Sequence, residues 1–141
     1  MATISEQSIR PKASTKLTRN SKIFKTIIKA IHDKKGSNVV SLDLRKILEA
    51  SADFFIVCEA SNPNQVKAIA DNVQDIVKKE TNEAAYKFEG YQAQQWILVD
   101  YVNVVVHVFL AETRKFYRLE EMWHDAPSME HTDEPTVKPA K

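Results

Sequence analysis

Asp43 stands near the end of a short apolar segment, Val39-Val40-Ser41-Leu42-Asp43-Leu44, where a carboxylate could hold magnesium for nucleotidyl transfer. Such a site wants a second acid two residues on, because alternate residues of a strand share a face. That position is Arg45, and a cation there opposes a metal ion. Gly36 and Gly90 are the only glycines and lie far apart, so neither a phosphate-cradling loop nor a dinucleotide fingerprint can be assembled from them. Cys58, the only cysteine, sits in an apolar run with no base at a recognisable spacing, and is read as a small buried hydrophobe. No His or Cys pair has zinc-ligand spacing, and His107, among valines, is read as a hydrogen-bonded structural histidine. No catalytic residue, metal site or cofactor is expected.

Recognition chemistry is richer. The run from Trp96 to Phe109 is the longest β-forming stretch, with a weak point only at Tyr101 to Asn103, and predicts two strands joined by a turn. Side chains alternate, so Trp96, Leu98 and Asp100 share one face while Ile97, Val99 and Tyr101 share the other. Thr113 caps a short helix carrying Phe116, Tyr117, Leu119, Met122 and Trp123. The partner-binding surface expected from this pattern is the exposed side of the hairpin with the closing helix: Trp96, Asp100, Tyr101, Arg114, Tyr117, Glu120 and Trp123. Large aromatics ringed by polar groups commonly dominate interface energy.

The elements that position this patch are legible upstream. Asn20 or Ser21 caps a helix with Ile23, Phe24, Ile27, Ile28 and Ile31 as its apolar stripe, and Gly36 is read as its C′ stop. A strand follows over 39–44. Asp53 to Cys58 is apolar on both alternating faces, as a central strand requires. Ser61 or Asn62 caps a second helix, Pro63 fits its first turn, and Val66, Ile69, Ala70, Val73, Ile76 and Val77 recur at helical spacing. Residues 85–89 alternate as a further strand closed by Gly90. The fold expected is α/β: a mixed sheet of about five strands flanked by helices, in one domain over residues 20–126. Residues 1–19 are expected to be a disordered basic tail, and residues 127–141, with prolines, acids and few apolar residues, a disordered tail.

The formal charge is +1, but its distribution is uneven. Arg10, Lys12, Lys16, Arg19, Lys22 and Lys25 face Glu6 alone at the front, while seven acids face three bases from Glu112 to Glu134. The basic front admits a peripheral contact with RNA, although it lacks interleaved aromatics. No apolar run approaches the ~20 residues that span a bilayer. A lone cysteine and the lack of an apolar h-region after the basic start suit a soluble cytoplasmic protein without membrane contact. A free edge strand is compatible with a monomer or a weak homodimer.

In order and spacing, these blocks resemble the Iojap/RsfS family of ribosomal silencing factors. The resemblance is carried by Leu42-Asp43-Leu44-Arg45, Ala52-Asp53-Phe54-Phe55-Ile56-Val57-Cys58, Gln65 to Asn72, Glu89-Gly90, Trp96 to Tyr101, Val104 to Phe109, and Arg114, Phe116-Tyr117, Leu119-Glu120 and Trp123-His124-Asp125-Ala126. It spans about Ile23 to Ala126. It implies a sheet similar to nucleotidyl-transferase domains without a catalytic site, which agrees with Arg45 beside Asp43. It implies binding to large-subunit ribosomal protein number fourteen, block of subunit association, and repression of translation under nutrient limitation. An acid at the hairpin tip suits a basic ribosomal protein. The alternative is an RNA-binding accessory factor in large-subunit assembly. Two stretches depart from the family: Glu59-Ala60-Ser61-Asn62 replaces a small Ser-Gly-Thr-Ser, and Val102-Asn103 replaces the Gly-Asp of the hairpin turn. Valine disfavours positive φ, so a wider turn is expected there.

Overall fold

A computed structural model of the chain describes residues 17–47 and 49–132. Helix α1 (Lys22–Asp33) forms where Ile23, Phe24, Ile27 and Ile31 recur on one face, and all four are buried. Its end differs from the expected one. Lys35 takes the left-handed position at φ 66°, and the N–H groups of Lys35 and Gly36 return to the carbonyls of His32 and Ile31 at 2.9 and 3.0 Å. This is a Schellman closure, with the left-handed residue one position before Gly36. Gly36 serves space instead, since a Cβ there would meet the Ile31 side chain.

Strands β1 (Ser37–Asp43) and β2 (Phe54–Ala60) follow, then helix α2 (Pro63–Thr81), where Asn62 Oδ1 accepts the N–H of Gln65 at 2.9 Å. β3 (Lys87–Glu89), β4 (Trp96–Asp100) and β5 (Val104–Leu110) precede α3 (Ala111–Tyr117), α4 (Leu119–Met122) and β6 (Ser128–His131). The sheet order is β3-β4-β5-β2-β1-β6, with β2 and β5 parallel and the other pairs antiparallel. The mixed α/β sheet is therefore as expected, with one more strand. α1 and α2 cover one face, where Ile27, Ile31, Val66, Ile69 and Val73 pack on Ile56, Cys58, Ile97, Val99, Val106 and Val108. β2 lies centrally and is buried on both faces.

The sixth strand corrects the reading of a disordered tail from residue 127. β6 adds to β1 with Val39 opposite His131 and Leu42 opposite Ser128, and His131 Nε2 lies 2.9 Å from Ser41 Oγ. The segment has little apolar alternation to announce a strand; the free edge of β1 supplies its partner. Residues 17–19 likewise belong to the fold. Leu17 packs on the core and donates its N–H to Asp53 Oδ2 at 2.8 Å, while Arg19 lies over the Phe54 ring at 5.6 Å. The remainder of both expected tails, 1–16 and 133–141, lies outside the described residues.

The hairpin turn is also tighter than expected. Val102 adopts φ 75°, and Asn103 N–H bonds back to Tyr101 O at 2.8 Å, which makes a γ-turn of the strained hand. Tyr101 N–H reaches Val104 O at 2.9 Å across the same two residues. Surrounding bonds over-determine the turn: Val102 N–H to Asp100 Oδ1 at 2.7 Å, and Asp53 N–H to Asn103 O at 2.7 Å.

Candidate partner-binding site

The second face of the sheet carries the candidate site. Registers place Glu89, Leu98, His107, Val57, Val40 and Glu130 in one row across all six strands. Beside it run Lys87, Asp100, Val105, Phe55, Leu42 and Ser128. Among the described residues no long helix covers this side. α3, α4 and the segment after them reach it, through Leu119 on Val57 and Phe109 and Trp123 on Phe55, and the loop after β1 reaches it through Leu44, Ile47 and Ala50 beside Leu42.

Aromatic rings form a continuous chain over this face. Phe116 meets Tyr117 at 5.0 Å, Tyr117 meets Trp96 at 5.0 Å, and Trp96 meets His107 at 6.0 Å. His107 then touches Phe55 at 4.5 Å and Phe55 touches Trp123 at 5.7 Å. Trp96 also stacks on Phe109 at 4.7 Å. The outer members are open: Phe116 is 77% exposed, Met122 71% and Tyr117 51%. Trp96 and Trp123 are half-buried, with their inner sides against the sheet.

His107 fixes the central ring. The Trp96 indole N–H donates to His107 Nδ1 at 3.1 Å. Indole is a donor only, so Nδ1 is the acceptor and the imidazole proton sits on Nε2. Burial pushes the His107 pKa down to about 3. The ring is therefore neutral at physiological pH and keeps accepting from Trp96. This is the structural histidine the sequence suggested, with its hydrogen-bond partner now identified.

The expected patch divides into two groups. Trp96, Tyr117, Glu120 and Trp123 gather on or beside the open face. Tyr101 does not: it is 6% exposed on the opposite face, in the main core with Val99 and Val104. Strand alternation sets that placement. Asp100 points to the correct face but is only 4% exposed, and its Oδ1 braces Val102 N–H in its own turn. Arg114 is buried as well. It donates to Glu59 Oε1 at 3.1 Å, to Asn38 O at 2.7 Å and to Glu120 Oε2 at 2.5 Å, tying α3 and α4 to the sheet. Asn38, at φ 49° in the irregular start of β1, aims its carbonyl there.

Phe116 and Met122 are missing from the expected patch. A single closing helix would leave their exposure unsettled. Arg118 instead takes φ 51° and splits the segment into α3 and α4, turning both side chains outward. Nothing in the local residue types signals that break.

Asp43 behaves as the spacing with Arg45 suggested. Arg45 Nη2 lies 2.6 Å from Asp43 Oδ2 and Nε 2.9 Å from Oδ1, a two-pronged pair. These hydrogen bonds hold the Asp43 carboxyl below the usual carboxylate range. Among the described residues no group of three or more His, Cys, Asp or Glu side chains could hold a metal ion. Burial pushes the Cys58 thiol up to about 12, which leaves it unreactive in the core. No described helix is long and apolar enough to cross a membrane.

Comparison with known proteins follows the same outline. The family described as "Ribosomal silencing factor during starvation" matches residues 18–141. Ribosomal silencing factor RsfS of Halalkalibacterium halodurans is 37% identical over 111 residues, covering 79% of this chain and 93% of that protein. The chloroplastic protein Iojap of Zea mays is 31% identical over 105 residues, covering 74% of this chain and 45% of that protein. A crystal structure of a Chromobacterium violaceum protein superposes with a TM-score of 0.69 at 33% identity, covering 84% of this chain and 96% of that one. The chain belongs to the ribosomal silencing factor family, the RsfS/Iojap proteins.

Proposed function

We propose that this protein silences translation by seating its open sheet face on the large ribosomal subunit, at ribosomal protein number fourteen, where it blocks joining of the small subunit when nutrients run short. The observation that carries this reading is the aromatic chain from Phe116 to Trp123 on a rigid sheet. A monomeric domain rarely leaves rings as open as Phe116 and Tyr117, with Trp96 and Trp123 half-open beside them. Charged side chains rim this chain of rings, with Glu89, Glu121 and Glu130 exposed, Glu120 partly so, and Lys87 and Arg118 paired to Glu89 and Glu121. The carboxylates among them complement the basic surface usual for a ribosomal protein. The action is occupancy of a surface in the cytoplasm, not catalysis. Asp43, the one acid placed as in a transferase, is engaged by Arg45.

Co-sedimentation with purified large subunits tests the proposal. Wild-type protein is expected in the subunit fraction, and excess factor is expected to reduce joining of small subunits. Trp96→Ala and Tyr117→Ala remove central rings of the chain; each is expected to weaken binding by about 2 kcal/mol, roughly 30-fold, with the fold retained. Folded variants that still hold the large subunit at wild-type affinity would exclude this face as the interface.

A further inference from the structure

The helix side of the molecule carries a feature that the aromatic face does not use. α1 buries Ile23, Phe24, Ile27 and Ile31, leaves Ile28 half-buried, and turns Lys22, Lys25 and Lys29 outward, at i, i+3 and i+7 on one face. The three ammonium groups are spread along roughly 10 Å of helix axis. Lys34 and Lys35, both exposed, extend the series past the helix end. From Leu17 to Gly36 six Lys and Arg residues stand against Asp33 alone.

Two features separate this surface from an ordinary charged helix face. Among the described residues none of Lys22, Lys25, Lys29, Lys34 and Lys35 enters an ion pair, whereas the neighbouring α2 mixes signs, with Lys67 bonded to Asp71 at 2.8 Å. The surface also has a shallow recess, lined by Lys25, Ile28, Lys29, His32 and Asp33.

We propose that this α1 face is a second contact surface, one that follows the phosphate backbone of ribosomal RNA while the aromatic face holds a ribosomal protein. The chemistry favours RNA over the other acidic partners. Lysine is depleted in protein–protein interfaces, which need anchors that this face lacks. A membrane surface would require apolar side chains to insert, and those of α1 are committed to the core. A row of point charges without aromatics suits sequence-independent phosphate contact, in which each neutralised phosphate releases counterions. The location of this contact on ribosomal RNA rests on the reading under Proposed function; the polyanion surface itself does not.

The test is fluorescence anisotropy of the full chain with a labelled RNA hairpin, titrated from about 50 to 200 mM salt. The double variant Lys25→Glu/Lys29→Glu is compared with Lys67→Glu/Lys78→Glu on α2, which makes the same change of charge. The α1 variant is expected to lose at least tenfold in affinity and to flatten the salt slope by about 2, one per lysine. The α2 variant should lose less than threefold. Trp96→Ala should bind RNA as wild type does while losing the large subunit's protein contact. The α1 surface is refuted if wild-type protein does not bind the hairpin, if both double variants lose affinity equally, or if neither loses any, which would assign the contact to residues 1–16. Loss of RNA binding with retained protein binding in Trp96→Ala would overturn both surfaces as assigned. Retention of both activities in that variant would overturn only the aromatic face.

Discussion

Replacing Val102 by glycine should stabilise the protein. Val102 is a β-branched residue at φ 75°, at the centre of a γ-turn closed by Asn103 N–H and Tyr101 O at 2.8 Å. A non-glycine residue in such a region costs about 1–3 kcal/mol. Three surrounding bonds hold it there: Val102 N–H to Asp100, and Asp53 and Phe54 N–H to Asn103 O at 2.7 and 3.1 Å. Glycine removes the Cβ conflict but loosens the unfolded chain, which returns about 0.4–1 kcal/mol of the gain. The half-buried valine side chain also gives up some packing. The net expectation is about 1 kcal/mol of stabilisation, or roughly 3–4 °C in Tm for a chain of this size. Urea denaturation of Val102→Gly beside Val102→Ala measures it. Alanine keeps a Cβ in the left-handed position and should move stability by only a few tenths of a kcal/mol. A loss of stability in Val102→Gly, or an equal gain in Val102→Ala, would show that the strain does not reside in this dihedral. Because Asp100 and Tyr101 keep their hydrogen bonds in either case, large-subunit binding should not change.

Truncation separates the strand from the segment beyond it. Ending the chain after Ala126 deletes β6 with its four register pairs and the Ser41–His131 contact, and is expected to cost on the order of 2 kcal/mol by urea denaturation; ending it after Thr132 should cost little. Acid should weaken the fold through His107: its folded pKa, pushed down to about 3, lies below the unfolded value of 6.5, so the unfolded state takes up a proton that the native state refuses. Stability is then complete above about pH 6.5 and falls by up to about 1.4 kcal/mol per unit on going from pH 6.5 towards 3. Burial, Arg19 and His32 lower the His131 pKa and add a slope of the same sign. In His107→Gln, which cannot titrate but can still accept from Trp96, the acid slope should shrink; an unchanged pH profile would assign it to other groups.

The sequence was legible wherever one periodicity dominated. The stripe Ile23 to Ile31 and the doubly apolar Phe54 to Cys58 leave few alternatives, and both take the predicted forms. Trp96 and Asp100 were placed on a common face by alternation alone, and the structure keeps them there. Exposure was the harder quantity. Alternation assigns a face, but it cannot say that Asp100 turns its carboxylate back onto Val102, or that Arg114 finds Glu59 far along the chain. Those bonds depend on tertiary partners. Left-handed residues hide for a related reason. Lys35, Val102 and Arg118 each occupy a position that residue preference assigns to glycine or asparagine, and each is held there by bonds that only the folded chain supplies. β6 is the limiting case, because its pairing is specified by the edge it joins.

The uneven cover of the sheet follows from its topology. β2 and β5 are parallel neighbours, and α2 leaves β2 on the side that α1 already occupies. Two long helices thereby cover one face. Among the described helices the other face receives only the short α3 and α4, divided at Arg118, with the loop residues Leu44, Ile47 and Ala50 beside Leu42. Yet β2 and β5 carry large side chains on both sides, so Phe55, Val57, His107 and Phe109 also need burial there. The protein meets part of that need with its own rings, Trp96 and Trp123, which stand half-buried over them. The outer surfaces of those rings, with Tyr117 and Phe116, are what remains uncovered. A partner seated there would complete the second layer of the sheet. This explains why a single domain can present so large an aromatic surface without loosening its fold: the inner edge of each ring belongs to the core, and only the outer edge is offered for binding.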